Sequence, residues 1–154
     1  MFSKSTEYAL RAILYLARNS SMTHKVGIAE LAEAISSPRS FTAKILQSLT
    51  RDNVLISSVT GPNGGFYLTD QAKKRSLQYV LGLLGEDTVI TGCVLGLKEC
   101  SSANPCPLHN QYKQIKPQLI HMMENKTIGD LANEMKGAIT LSHEKKRKRP
   151  GRRV

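Results

Sequence analysis

Gly27-Ile28-Ala29-Glu30-Leu31-Ala32-Glu33-Ala34-Ile35-Ser36-Ser37-Pro38-Arg39-Ser40-Phe41-Thr42-Ala43-Lys44-Ile45-Leu46-Gln47-Ser48-Leu49 is the stretch whose reading decides the fold. Ile28, Leu31, Ala32 and Ile35 recur at helical spacing, which predicts a short helix over 27–35. Ser36-Ser37-Pro38 interrupts it. Ser37 is a suitable N-cap and Pro38 suits the first helical position, where its missing N–H costs nothing. A second helix follows, from Pro38 to about residue 52. Phe41, Ile45, Leu46 and Leu49 form its apolar face. At about 100° per residue, Ser40, Ala43, Lys44, Gln47 and Arg51 point the other way, so the outer face is polar and basic. A short helix, a tight turn and a helix with a basic outer face make a helix-turn-helix pattern, which other helical pairs with solvated surfaces share.

The downstream sequence narrows the choice. Residues 54–60 (Val-Leu-Ile-Ser-Ser-Val-Thr) are rich in β-branched side chains and read as a strand. Gly61-Pro62-Asn63-Gly64-Gly65 is a concentrated turn signal, and Phe66-Tyr67-Leu68 reads as the returning strand. A hairpin directly after the outward-facing helix is a wing, and glycines at its tip would leave backbone N–H groups able to approach phosphates. Upstream, Leu10, Ile13, Leu14 and Ala17 predict a first helix over 6–18.

Beyond the wing, Leu77, Val80, Leu81 and Leu84 predict a linking helix over 76–84. From Thr88 to Pro107 no periodicity is visible. A longer helix is predicted over 108–124, where Leu108, Tyr112, Ile115, Leu119 and Met122 recur in a heptad-type seam widened by Ile120 and Met123, as a dimerisation helix requires. Pro117 lies inside it and should kink it or remove one hydrogen bond. Thr127 should cap a last short helix over 128–135. The expected architecture is mainly α with a small β-hairpin wing. A winged helix-turn-helix unit would span residues 1–75. A linking helix, cysteine loop and dimerisation helix would span 76–135, followed by a basic disordered tail over 136–154.

Charge agrees with an anionic partner. The chain has 154 residues, with 22 Lys and Arg against 12 Asp and Glu, a formal charge of +10. The run His143–Val154 contributes seven of those cations against one acid. Such an excess suits nucleic acid, an acidic surface or an acidic protein. No stretch is long and apolar enough for a membrane span or an export signal, so a reducing cytoplasm is expected. No Ser/His/Asp arrangement, facing carboxylate pair or phosphate loop followed by Lys-Ser/Thr is present, so no enzymatic activity is expected.

The three cysteines, Cys93, Cys100 and Cys106, fall within fourteen residues and continue to a histidine as C-x6-C-x5-C-x2-H, ending at His109. An odd number in a cytosolic chain argues against a disulfide framework, and clustering argues for a shared ligand. Thiolates suit iron–sulfur clusters, zinc or Cu(I). A fourth ligand other than thiolate leaves a weaker bond for a small molecule to attack. Cys3His also serves as a structural zinc set, although paired C-x2-C knuckles are absent. Direct oxidation of uncomplexed thiols is a further alternative.

In this order, Tyr8-Ala9-Leu10-Arg11, Gly61-Pro62-Asn63-Gly64-Gly65-Phe66-Tyr67-Leu68 and Cys93, Cys100, Cys106-Pro107-Leu108-His109 resemble the iron–sulfur winged-helix regulators of the IscR and NsrR type, over residues 1–135. The resemblance implies a homodimeric transcriptional regulator, a repressor, that places one recognition helix in each half-site of a double-stranded DNA operator. It implies an iron–sulfur cluster on the three cysteines that senses nitric oxide, redox state or cluster supply. His109 stands where IscR-like proteins ligate a 2Fe–2S cluster. Glu7 stands where NsrR-like proteins cap a 4Fe–4S cluster with a carboxylate of the partner. DNA contacts are expected from Ser37, Pro38, Arg39, Ser40 and Lys44, and from Thr60, Asn63, Gly64 and Gly65 of the wing. Three positions depart from the relatives. The first cysteine interval is six residues rather than five, Thr60 stands where an Arg is common, and Ala43 replaces an acidic residue.

Overall fold

A computed structural model describes residues 1–51, 53 and 55–137. The chain forms α1 (Lys4–Asn19), α2 (Ile28–Ala34), α3 (Arg39–Thr50), β1 (Ser57–Val59), β2 (Gly65–Tyr67), α4 (Asp70–Lys73), α5 (Leu77–Leu83), α6 (Thr88–Thr91), α7 (His109–Asn125) and α8 (Ile128–Glu134). It is a mainly helical winged-helix fold. The basic run His143–Val154 lies outside the described residues. Among those residues, no helix is long and apolar enough to cross a membrane.

α1 is the central pillar. Ser3 caps it by accepting from the Thr6 amide, and Ala9, Ala12, Ile13, Leu16 and Ala17 are buried along it. The buried face is wider than the predicted stripe because α2, α3, β2 and α8 all pack on this one helix. The main core combines Ile13 and Leu16 with Leu31, Ile35, Leu46, Leu49, Leu55 and Ile56, and with Ile128 and Ala132 from α8. Burying that apolar surface supplies most of the stabilisation. The last helix therefore returns to the first, a contact that periodicity cannot foresee. A capping box starts α8: the Thr127 hydroxyl accepts from the Asp130 amide while the Asp130 carboxylate accepts from the Thr127 amide.

The wing is shorter than expected. β1 and β2 are antiparallel, pairing Ser57 with Tyr67 and Val59 with Gly65. Leu55 and Ile56 do not extend β1; both are fully buried in the core. Phe66 also exchanges two backbone hydrogen bonds with Val26, at 2.8 and 2.9 Å, which adds a one-residue third strand. Gly65 makes that approach possible. Its φ is +149°, and a Cβ there would lie 2.8 Å from the Val26 carbonyl oxygen.

A second, smaller core joins Leu81, Ile90 and Met123 to Phe2, Leu10, Leu77, Leu119 and Ile120. It holds α5, α6 and α7 against the first turns of α1. Pro117 does not interrupt α7, which continues through it from His109 to Asn125. Two short helices escaped the sequence reading: α4 and α6 are one turn each, below the length at which periodicity can be read.

Candidate metal centre and nucleic-acid interface

Each cysteine is positioned by local backbone. Cys93 follows Gly92, the C-cap of α6, where an added Cβ would lie 2.7 Å from the Thr88 carbonyl oxygen. The chain then turns, with the Gly96 amide donating to the Cys93 carbonyl at 2.9 Å. Gly96 has a φ of +68°, a left-handed conformation that glycine adopts at little cost. Cys106 precedes α7, and the His109 amide donates to its carbonyl at 3.0 Å. Between them, a small loop beside Cys100 is closed by the Ser101 amide donating to the Asn104 carbonyl and the Asn104 amide donating to the Ser101 hydroxyl.

The fold brings the three sulfurs within 4.8 Å of one another. Cys93 Sγ and Cys106 Sγ are 3.7 Å apart. His109 Nδ1 lies 3.1 Å from Cys100 Sγ, while its Nε2 is buried without a hydrogen-bond partner. Glu7 is not part of this cluster within one protomer; its Oε2 is likewise buried and unpartnered. All three thiols are half-buried. Backbone amides of Leu97 and Leu95, together with the Cys100 and Cys106 thiols, outweigh desolvation and lower the Cys93 thiol to about 7. At Cys100, the Cys106 amide pulls the value down, but desolvation and the neighbouring sulfurs outweigh it and push the thiol up.

These residues fit a metal. They offer three soft donors and an orphaned imidazole nitrogen, and they face a cavity of about 370 Å³. A second, more apolar cavity of about 590 Å³ lies behind Cys93, against Ile90, Leu119 and Met123.

The other candidate residues lie on α3 and the wing, around a different cavity from the cysteines. Pro38, Arg39, Ser40, Ala43, Lys44, Gln47 and Arg51 are exposed, as the helical spacing predicts. Ser40, Ala43, Lys44 and Gln47 line a shallow groove completed by Ile28 and by Phe66 of the wing. Thr60 and Asn63 are exposed, whereas Gly64 and Gly65 are half-buried. Two details differ from the sequence reading. Ser37 does not cap α3. Its amide bonds to the Ala32 carbonyl and its hydroxyl to the Pro38 carbonyl, and Pro38 itself occupies the N-cap. Ser37 is also buried, at 9% exposure, so its side chain does not lie on the outer face. The Gly64 amide is not free for a phosphate, because it closes the turn onto the Gly61 carbonyl at 3.0 Å.

Sequence reasoning missed Arg11 and Tyr8 as supports of this interface. The Arg11 guanidinium donates to the Ile35 carbonyl in the turn before α3 and lies 4.9 Å from the centre of the Tyr8 ring. Tyr8 in turn meets Phe41 of α3 edge-to-face, with centroids 5.5 Å apart. A basic residue inside the apolar pattern of α1 was the available signal.

Comparison with known proteins places both halves in one context. An HTH-type transcriptional regulator of Aquifex aeolicus (strain VF5) is 35% identical over 135 residues, covering 86% of this chain and 92% of that protein. The HTH-type transcriptional regulator IscR of Klebsiella pneumoniae (strain 342) is 31% identical over 126 residues, covering 82% and 76% respectively. Among solved structures, CymR, the global cysteine regulator of B. subtilis, superposes with a TM-score of 0.70 at 18% identity, over 88% of this chain and 98% of its own. IscR of T. potens gives a TM-score of 0.63 at 17% identity, over 90% and 93%. These two likenesses show the winged-helix fold. Residues 2–134 match the Rrf2 family, described as iron-dependent transcriptional regulators. The chain therefore belongs to the Rrf2 family of DNA-binding transcriptional regulators, a family of regulators rather than enzymes.

Proposed function

We propose that this chain acts as a homodimeric repressor whose operator affinity is set by an iron–sulfur cluster held on Cys93, Cys100 and Cys106. The observation that carries the reading is the convergence of the three sulfurs within 4.8 Å on residues that line a cavity of about 370 Å³, more space than one ion fills. His109 or Glu7 of the partner subunit would complete the ligand set. A bound cluster would supply an exchangeable iron site able to react with nitric oxide or oxidants.

The chain's own residues offer a route from that site to DNA. Cys93 follows the Gly92 C-cap of α6, and the Glu86 carboxylate between α5 and α6 accepts from Ser3 and Thr6 at the start of α1. α1 carries Arg11, which holds the turn before α3. A coupling of ~1–3 kcal/mol along this route would change operator affinity about 5–150-fold. Arg39 and Lys44 would meet phosphate or base edges, with Pro38, Ser40, Thr60, Asn63, Gly64 and Gly65 lining the same approach.

Dimerisation is supported by α7. Leu108 at its N-cap and Ile115 and Met122 within it, spaced by seven residues, are 39%, 51% and 49% exposed. Residues seven apart share a face, as in coiled-coil seams.

The test is anaerobic purification followed by iron, sulfide and zinc analysis and operator titration. Coloured protein containing iron and sulfide, with operator affinity altered on cluster removal, is the expected result. Equal operator affinity with and without the cluster would overturn it. The 3.7 Å separation of Cys93 and Cys106 favours a second reading: two thiolates on a single tetrahedral zinc ion lie about 3.8 Å apart. Colourless protein with stoichiometric zinc would establish that alternative. Peroxide-sensitive DNA binding by metal-free protein would instead establish a direct thiol switch.

A further inference from the structure

The wall of the cysteine cavity is strongly one-signed. Lys98 from the loop, and Lys113 and Lys116 from α7, line it together with all three thiols. Lys113 and Lys116 are four and seven residues beyond His109, so one face of α7 brings all three residues to the same cavity. Lys116 is held there by donating to the Thr91 carbonyl. Among the described residues lining this cavity there is no carboxylate; Glu99 lines the adjoining cavity, which shares Lys98, Cys100 and Cys106 with it. Three cations over a partly enclosed, thiol-bearing recess concentrate anions and repel cations.

We propose that this cavity is an anion-selecting vestibule, through which small anionic thiol-reactive molecules reach the cysteines ahead of neutral or cationic ones. The selection is a property of Lys98, Lys113 and Lys116. It is independent of the metal that the thiols hold, so it can stand or fall separately from the cluster.

The test uses the reduced, metal-free full chain and two aryl disulfides. Dithiobis(nitrobenzoate) is a dianion and dithiodipyridine is neutral. In each case a protein thiolate attacks one sulfur of the reagent, its S–S bond breaks, a protein–aryl mixed disulfide forms, and one aryl thiolate leaves with the electron pair. The ratio of the two rates, divided by the same ratio in urea-unfolded protein, removes intrinsic reactivity. That ratio should be raised on the order of tenfold at low salt. It should collapse toward unity at molar salt, where the Debye length is only about 3 Å.

Lys98 and Lys113 are exposed, so K98Q/K113Q leaves the packing intact. It should lower the ratio several-fold, and K98R/K113R should restore it. K4Q/K74Q, which removes two exposed cations elsewhere, should leave it unchanged. A ratio insensitive to K98Q/K113Q, or an equal drop in K4Q/K74Q, would overturn the proposal by assigning any effect to overall net charge.

Discussion

Glu86, in the turn between α5 and α6, accepts a hydrogen bond from the Thr6 hydroxyl at 2.8 Å and another from the Ser3 amide at 3.2 Å, eighty residues away along the chain. This carboxylate ties the segment leading to Cys93 to the first turn of α1. The Ser3 and Thr6 bonds outweigh desolvation and hold it below the ordinary carboxylate range.

Because the folded value is depressed, the stabilisation from Glu86 is complete above the ordinary carboxylate range and is lost as pH falls through the folded value. Glu86→Gln should therefore melt below the unsubstituted protein at pH 7, and the difference should narrow as pH falls below the ordinary carboxylate range. Thermal melts by circular dichroism across that range provide the check. A gap that stays constant into acid would show that the charge is not what matters.

Arg11 supports the turn before α3 from inside α1. Arg11→Met keeps the apolar stem but leaves the buried Ile35 carbonyl without this donor. The cost should be about 1–3 kcal/mol in urea unfolding. Operator affinity should fall as well, since Tyr8, which meets Phe41 at the base of α3, loses a neighbour.

The two faces of α7 should respond differently. Ile115→Glu and Met122→Glu change half-exposed side chains, so the monomer should fold normally while sedimentation shows loss of the dimer. Met123→Ala opens the second core, where the side chain is 3% exposed, and should cost about 2–5 kcal/mol. A dimer that survives both glutamate substitutions would place the subunit interface elsewhere.

Thr127→Ala removes the hydroxyl half of the α8 capping box. The expected loss is about 0.5–2 kcal/mol, read from denaturant midpoints at constant slope.

Local chemistry made much of this legible. The wing could be read from Gly61-Pro62-Asn63-Gly64-Gly65 because turn residues act over four or five positions. The outward face of α3 followed from helical spacing alone, and Ser40, Ala43, Lys44 and Gln47 are all exposed. The cysteine spacing pointed to a shared ligand, but only folding brings Cys93 and Cys106 to 3.7 Å. What sequence could not give is non-local. The Val26–Phe66 bridge joins single residues forty positions apart, and α8 reaches α1 across the whole chain. The Ser37 cap failed because its amide and hydroxyl both found carbonyl partners in the turn. Ser36 meanwhile takes a left-handed φ of 53° without a glycine to announce it.

The return of α8 to α1 also determines where the polypeptide departs. Arg18, at the far end of α1, donates to the Gly137 carbonyl at 2.9 Å. The last described residue is thus held at the end of α1 where the Ser20 hydroxyl accepts from the Leu68 amide just past β2, while Glu86, on the segment leading to Cys93, is bonded to Ser3 and Thr6 at the opposite end of the pillar.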